Sequence, residues 1–126
     1  MNLLKSWTVP IEVFNEANQA NQHWRIKSRR HNQQNFLVRA YLADIIAFRN
    51  QAIHVKLIRI SPRMLDSEDN LPFAFKWVKD TLADMLRPGL ERGRADDSDL
   101  LTWSYAQEKG NPKEKAMRVE VYERNA

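Results

Sequence analysis

The chain has 126 residues, of which 43 % are hydrophobic and 29 % charged, and its formal net charge is +4. This size and composition indicate one globular domain over residues 1–126, and the absence of cysteine excludes disulfides, thiolate zinc sites and cysteine nucleophiles. The first residues lack a signal-peptide pattern, and no apolar run approaches the roughly 18 residues of a membrane span. We therefore expect a cytoplasmic protein without a membrane partner.

The first half of the chain predicts a strand, a helix and a second strand. Apolar and polar residues alternate over 7–14, and Pro10 favours an edge position because it cannot donate a ladder hydrogen bond. Residues 34–50 carry apolar side chains near helical spacing without Gly or Pro, which predicts a helix. Residues 53–60 are β-rich and become apolar on both faces, as in an inner strand.

The second half predicts a second helix and two more strands. A helix is expected over 69–86, with Asp69 as N-cap and Pro72 in its first turn. Strands are expected over 101–107 and 116–122. The order β-α-β-α-β-β predicts an α+β fold in which a mixed sheet carries helices mainly on one face.

A basic stretch lies between Glu16 and Asp44, where no acidic residue occurs. We predict a loop that becomes helical near its end. Cations and amide side chains beside Trp24 suit a DNA backbone, although a solvated loop that binds nothing fits the same composition. The residues assigned to DNA contacts are Arg25, Lys27, Arg29 and Arg30.

Two acidic clusters interrupt this basic protein, one at residues 66–69 and one at residues 96–99. Crowded carboxylates suit Mg²⁺ or Mn²⁺, and pairing of the flanking strands would bring the clusters to one end of the sheet. On a continuous helix, Asp69, Lys76 and Asp80 would project from one face. The same residues also fit ordinary cap, turn and solvent-facing positions.

Three segments together resemble the RusA family of Holliday-junction resolvases, common in phages and prophages: Leu65-Asp66-Ser67-Glu68-Asp69-Asn70-Leu71, Phe75-Lys76-Trp77-Val78-Lys79-Asp80 and Ala95-Asp96-Asp97-Ser98-Asp99. The resemblance implies a Mg²⁺-dependent crossover junction endodeoxyribonuclease that acts as a homodimer on four-way DNA junctions in recombination and repair. It implies a catalytic set of Asp66, Asp69, Lys76, Asp96 and Asp97. Of these, the metal ligands would be Asp66, Asp69 and Asp97.

The spacing of the first cluster departs from the family pattern, because two residues rather than one separate Asp66 and Asp69. Strict alignment places Ser67 at the first acidic position, so either Asp66 reaches the metal through a one-residue bulge or Glu68 substitutes. The helix is also about one turn longer before Lys76 than the family pattern. One alternative is a DNA-binding module that has lost catalysis. The other is an interaction protein whose acidic residues only cap helices and form turns.

Overall fold

The computed structural model describes residues 2–13, 24–65, 70–88 and 100–124. They form a four-stranded mixed sheet with helices on one face, which confirms the predicted α+β class and element order. The elements are β1 (Leu3–Val9), α1 (Trp24–Tyr41), a 3₁₀ helix (Ala43–Phe48), β2 (Ile53–Ser61), α2 (Leu71–Ala74), α3 (Lys76–Leu86), β3 (Leu101–Lys109) and β4 (Ala116–Glu123).

The strands lie in the order β1-β4-β2-β3. β2 is parallel to β3 and antiparallel to β4, so the prediction of an inner strand is confirmed. β1 lies at the edge, as Pro10 indicated, but it occupies Leu3–Val9 rather than residues 7–14. The strand ends before Pro10 because proline has no N–H to offer the ladder.

The hydrophobic core lies between the helices and one face of the sheet. Alternate residues of the strands point into it because side chains of a strand alternate between faces. β2 contributes Ile53, Val55 and Leu57. The predicted inward residues of α3 and its preceding turn are all buried, namely Phe75, Val78, Leu82, Met85 and Leu86. The predicted inward face of β4 is confirmed by the burial of Met117, Val119 and Val121.

Helix α1 begins at Trp24, ten residues before the predicted start, so the loop assigned to the basic stretch is wrong where the structure describes it. No Gly or Pro occurs in α1, and its Arg, Lys and Gln residues are good helix formers. The helix ends at Tyr41, and Leu42 leaves helical geometry before the 3₁₀ helix. Neither α1 nor another helix in the described ranges is long and apolar enough to cross a membrane.

The second predicted helix is two helices, because the chain departs from helical geometry at Phe75 (φ −95°, ψ 2°). The Phe75 N–H donates to the carbonyls of Leu71 and Phe73, and the fully buried Phe75 ring stacks on Tyr105 with 5.9 Å between centroids. Phe75, with its stacked ring, is the one residue between α2 and α3. Lys76 is consequently the first residue of α3 rather than an interior position.

Substitution of the buried Leu82 tests whether α3 is held by the core. Leu82 has no exposed surface, so Leu82→Ala should lower the free energy of unfolding by about 2–5 kcal/mol in a urea titration. The matched control is Leu3→Ala, because Leu3 is 52 % exposed in β1 and its loss should cost no more than about 1 kcal/mol. Equal losses for the two variants would contradict the described core.

Candidate nucleic-acid interface

Helices α1 and α3 lie side by side and run in the same direction. Three contacts follow one another along both helices: the His31 and Trp77 rings stack with centroids 4.1 Å apart, the Thr81 hydroxyl lies 3.3 Å from the Asn35 amide oxygen, and an Arg39 nitrogen lies 3.1 Å from an Asp84 oxygen. Because the first contact involves the second residue of α3, the part of α1 before His31 extends past the start of α3.

This projecting part of α1, residues 24–30, is termed the α1 overhang. It spans about 10 Å from Trp24 to the His31 stack at roughly 1.5 Å per residue. Arg25 and Arg29 are exposed, whereas Lys27 and Arg30 are half-buried. Helix α1 contains no acidic residue, so its positive charge has no compensating carboxylate within the helix.

Lys76 stands where the α1 overhang meets α3. It is exposed, its ammonium lies 5.6 Å from the Trp77 ring centroid, and Trp77 stacks on His31. One turn later, the ammonium of Lys79 lies 5.5 Å from the Trp103 ring centroid. The structure therefore brings the predicted DNA-contacting helix and the predicted catalytic lysine to one side of the molecule.

The structure describes the predicted line of Asp69, Lys76 and Asp80 only from Lys76 onward. Lys76 and Asp80 share α3 and keep their four-residue spacing. Asp69 lies outside the described residues, and the break at Phe75 separates α3 from α2. The angular argument that joined Asp69 to Lys76 assumed an unbroken helix, and the shared face of these two residues stays a prediction.

The described residues that flank the two acidic clusters lie at opposite ends of the β2–β3 pair. Leu65, before the first cluster, exchanges hydrogen bonds with the Gln107 side chain near the end of β3 (2.8 and 3.3 Å). Leu100, after the second cluster, accepts a hydrogen bond from the Ile53 N–H at the start of β2 (2.9 Å). β2 and β3 are parallel, so residues after one strand and before the other lie at different ends.

Leu65 and Leu100 therefore do not lie together, and the convergence of the two acidic clusters stays a prediction. The four predicted acids, Asp66, Asp69, Asp96 and Asp97, lie outside the described residues. Among the residues that are described, no group of three or more His, Asp or Glu side chains is placed to hold a metal ion. Of the predicted catalytic residues, Lys76 is the one whose position the structure gives.

The opposite face of the sheet carries a polar network centred on His54. Its Nδ1 lies 2.7 Å from the Thr102 hydroxyl and its Nε2 lies 2.7 Å from the Ser104 hydroxyl. Burial lowers the pKa of His54, and the positive charges of Arg124 and Lys56 lower it further. Hydroxyl groups on the neighbouring strand thus hold the ring in place while its surroundings disfavour the imidazolium.

Sequence patterns gave only part of this arrangement. The stack of His31 on Trp77 joins residues that are 46 positions apart, and no local spacing in the sequence predicts it. The hydroxyl partners of His54 were also missed, although alternation in two strands placed His54 and Ser104 on the same type of face. The seven-residue spacing of Trp24 and His31 is the available local signal that both belong to one side of a helix.

The lowered pKa of His54 gives a pH prediction. NMR titration should place its midpoint below 6.5, and Lys56→Gln should raise it, because one of the repelling charges is removed. Since the folded pKa lies below the unfolded value, this group makes the protein less stable as pH falls below about 6.5. Lys56→Arg keeps the charge and should leave the midpoint in place; a midpoint above 6.5, or one unmoved by Lys56→Gln, would contradict the assignment.

No protein-family model, no curated protein and no solved structure matches the chain. No relative therefore assigns a role to any residue, and the functional argument depends on the residues described above.

Proposed function

We propose that the protein is a Mg²⁺-dependent, structure-selective endodeoxyribonuclease of the RusA type that cuts branched DNA by paired phosphodiester hydrolysis, with Mn²⁺ as a possible substitute. The observation that carries the proposal is the stack of His31 on Trp77, which brings the His31 side of α1, with Lys27 one turn earlier, next to Lys76. A phosphate backbone that contacts Lys27 would meet Lys76 next. The net charge of +4 favours the same polyanionic partner.

In this proposal the acidic residues and Lys76 divide the chemistry of strand cleavage. Asp66, Asp69 and Asp97 would hold the cation, with Asp96 supporting them. The bound cation would supply an activated water and stabilise charge on the leaving oxygen. Lys76 would contact the scissile phosphate and neutralise charge that develops in the transition state.

The proposal requires the segment that carries Asp97 to approach the segment that carries Asp69. Gln107, which anchors the flank of the first cluster, lies about 20 Å along β3 from Leu101 at roughly 3.3 Å per residue. The segment before Leu100 must cross much of this distance for Asp97 to meet Asp69. Three extended residues reach about 10 Å, so both segments would have to approach one another.

A symmetric partner follows from the proposed substrate. A four-way junction has twofold symmetry, and its resolution requires two symmetric cuts, which a homodimer would supply. Such an enzyme would serve recombination and repair, and we place it in the cytoplasm with the DNA it cuts.

A second candidate is a junction- or DNA-binding module without catalysis. The observation that favours it is the position of Leu65 and Leu100 at opposite ends of the β2–β3 pair. Ser67 at the first acidic position under strict alignment points the same way. This module would keep the basic surface and bind DNA without a metal-dependent cut.

Cleavage of a labelled four-way junction in Mg²⁺ separates the two candidates. Asp69→Asn and Asp97→Asn should each lower the cleavage rate by at least about 100-fold, because each removes a charged metal ligand. Lys76→Met should lower it by about 100-fold through loss of phosphate stabilisation. Asp44→Asn is the matched control, since Asp44 instead pairs with Lys5 and accepts a hydrogen bond from Trp7. Cleavage unchanged in both aspartate variants would remove the enzyme proposal, and salt-sensitive binding without any cut would leave the binding module.

Duplex binding measured over a range of salt concentrations tests the basic surface separately. Lys27→Gln should weaken binding and reduce the slope of log affinity against log salt by about 1, because one phosphate contact is lost. Arg87→Gln removes the same charge at the far end of α3, where Arg87 contacts Asn50, and should leave the slope unchanged. Equal effects of the two substitutions would show that the α1 overhang is not the DNA-contacting surface.

A further inference from the structure

The aromatic side chain at the start of the α1 overhang presents a large exposed surface. Trp24 is 67 % exposed at the first residue of α1. It lies two turns before His31, and a seven-residue step returns to within about 20° of the same side of the helix. Trp24 therefore points to the side where Trp77 and Lys76 lie, but beyond the first residue of α3.

Positive charge surrounds this indole. The Arg25 guanidinium lies 5.5 Å from the Trp24 ring centroid, and Lys27 follows one turn later on nearly the same side as His31. An aromatic face set among cations is the arrangement by which proteins hold unpaired nucleotides, because the base stacks on the ring while the cations contact phosphates.

We propose that the α1 overhang binds single-stranded DNA, with Trp24 as the stacking surface for an unpaired base and with Arg25 and Lys76 as phosphate contacts. The inference rests on the proposed function, since it names the part of branched DNA that the surface would recognise. Both faces of a paired base are covered by its neighbours in the duplex stack, so a paired base cannot stack on Trp24. The contact therefore selects unpaired nucleotides, whereas Lys27 acts on duplex and single strand alike.

Phe36 provides a matched control within the same helix. It is 71 % exposed, but it lies twelve residues beyond Trp24, about 18 Å along α1. Its angular position is on the outer side of α1, away from the row that contains Trp24, His31 and Asn35. If an exposed aromatic residue bound DNA merely because it is apolar, substitutions of Phe36 and Trp24 would weaken binding equally.

The test is equilibrium binding of fluorescein-labelled oligothymidylate of about 15 nucleotides, and of a duplex of the same length, in EDTA. Trp24→Ala should weaken single-strand binding about tenfold and change duplex binding less than about twofold, because one stacked base is lost. Phe36→Ala should change neither affinity. Trp24→Phe should keep most of the single-strand affinity, since a phenyl ring still stacks, but should lose most of the DNA-induced quenching of tryptophan fluorescence.

Three results would overturn the inference: no binding of oligothymidylate by the wild type, equal losses for Trp24→Ala and Phe36→Ala, or equal weakening of single strand and duplex by Trp24→Ala. Circular dichroism of each variant checks that α1 remains folded. The experiment requires no cleavage, so it separates the two proposals. If Trp24→Ala selectively loses single-strand binding but the wild type cuts no junction, this inference stands and the nuclease proposal fails. If the wild type cuts junctions but Trp24→Ala binds single strands normally, the nuclease proposal stands and this inference fails.

Discussion

The packing of α3 against the sheet is the constraint on which the arrangement of the surface depends. Phe75 anchors its beginning on Tyr105, and the buried side chains of Val78 and Leu82 hold it over the core. α1 then takes its position from α3, through the His31–Trp77 stack at one end and the Arg39–Asp84 ion pair further along. Because this contact begins at the second residue of α3, seven residues of α1 project beyond it. The basic overhang is a consequence of where these two helices meet.

Much of the fold was predictable because local patterns report on burial. Alternation identified β2 and β4, and the apolar stripe of α3 was correct at every residue named for it. The start of α1 was missed because its first half is polar and lacks an apolar stripe; it is nevertheless helical, and tertiary contacts such as the buried Gln34 and the His31 ring hold it. The break at Phe75 was missed for the opposite reason, since the continuous apolar pattern hid a residue whose ring is fixed by a partner 30 positions away.

Sequence patterns named the members of the candidate site, and the structure gives the positions of those in α1 and α3. Charge predicted the cations of α1, whereas helical spacing and the family resemblance predicted Lys76. Lys27 lies nearest the His31 side of α1 that meets α3, and Arg25 and Arg29 lie more than 100° around the helix from it. Convergence of the acidic clusters was inferred from strand adjacency, which does not give strand direction. Since β2 and β3 are parallel, adjacency places Leu65 and Leu100 at opposite ends. Direction is set by the crossover through α2 and α3, a tertiary property that no spacing within either cluster encodes.

Paramagnetic broadening by Mn²⁺ tests the shared cation site most directly, because it reports on both acidic segments in one spectrum. In a ¹⁵N-labelled sample, small additions of Mn²⁺ should broaden the amide signals of Asn70 and Leu100 together and at the same concentration. The amide of Ser6, in the middle of edge strand β1 and separated from β3 by β4 and β2, should broaden least. Broadening of only one of the two flanks, or of neither, would contradict a single cation held between Asp69 and Asp97.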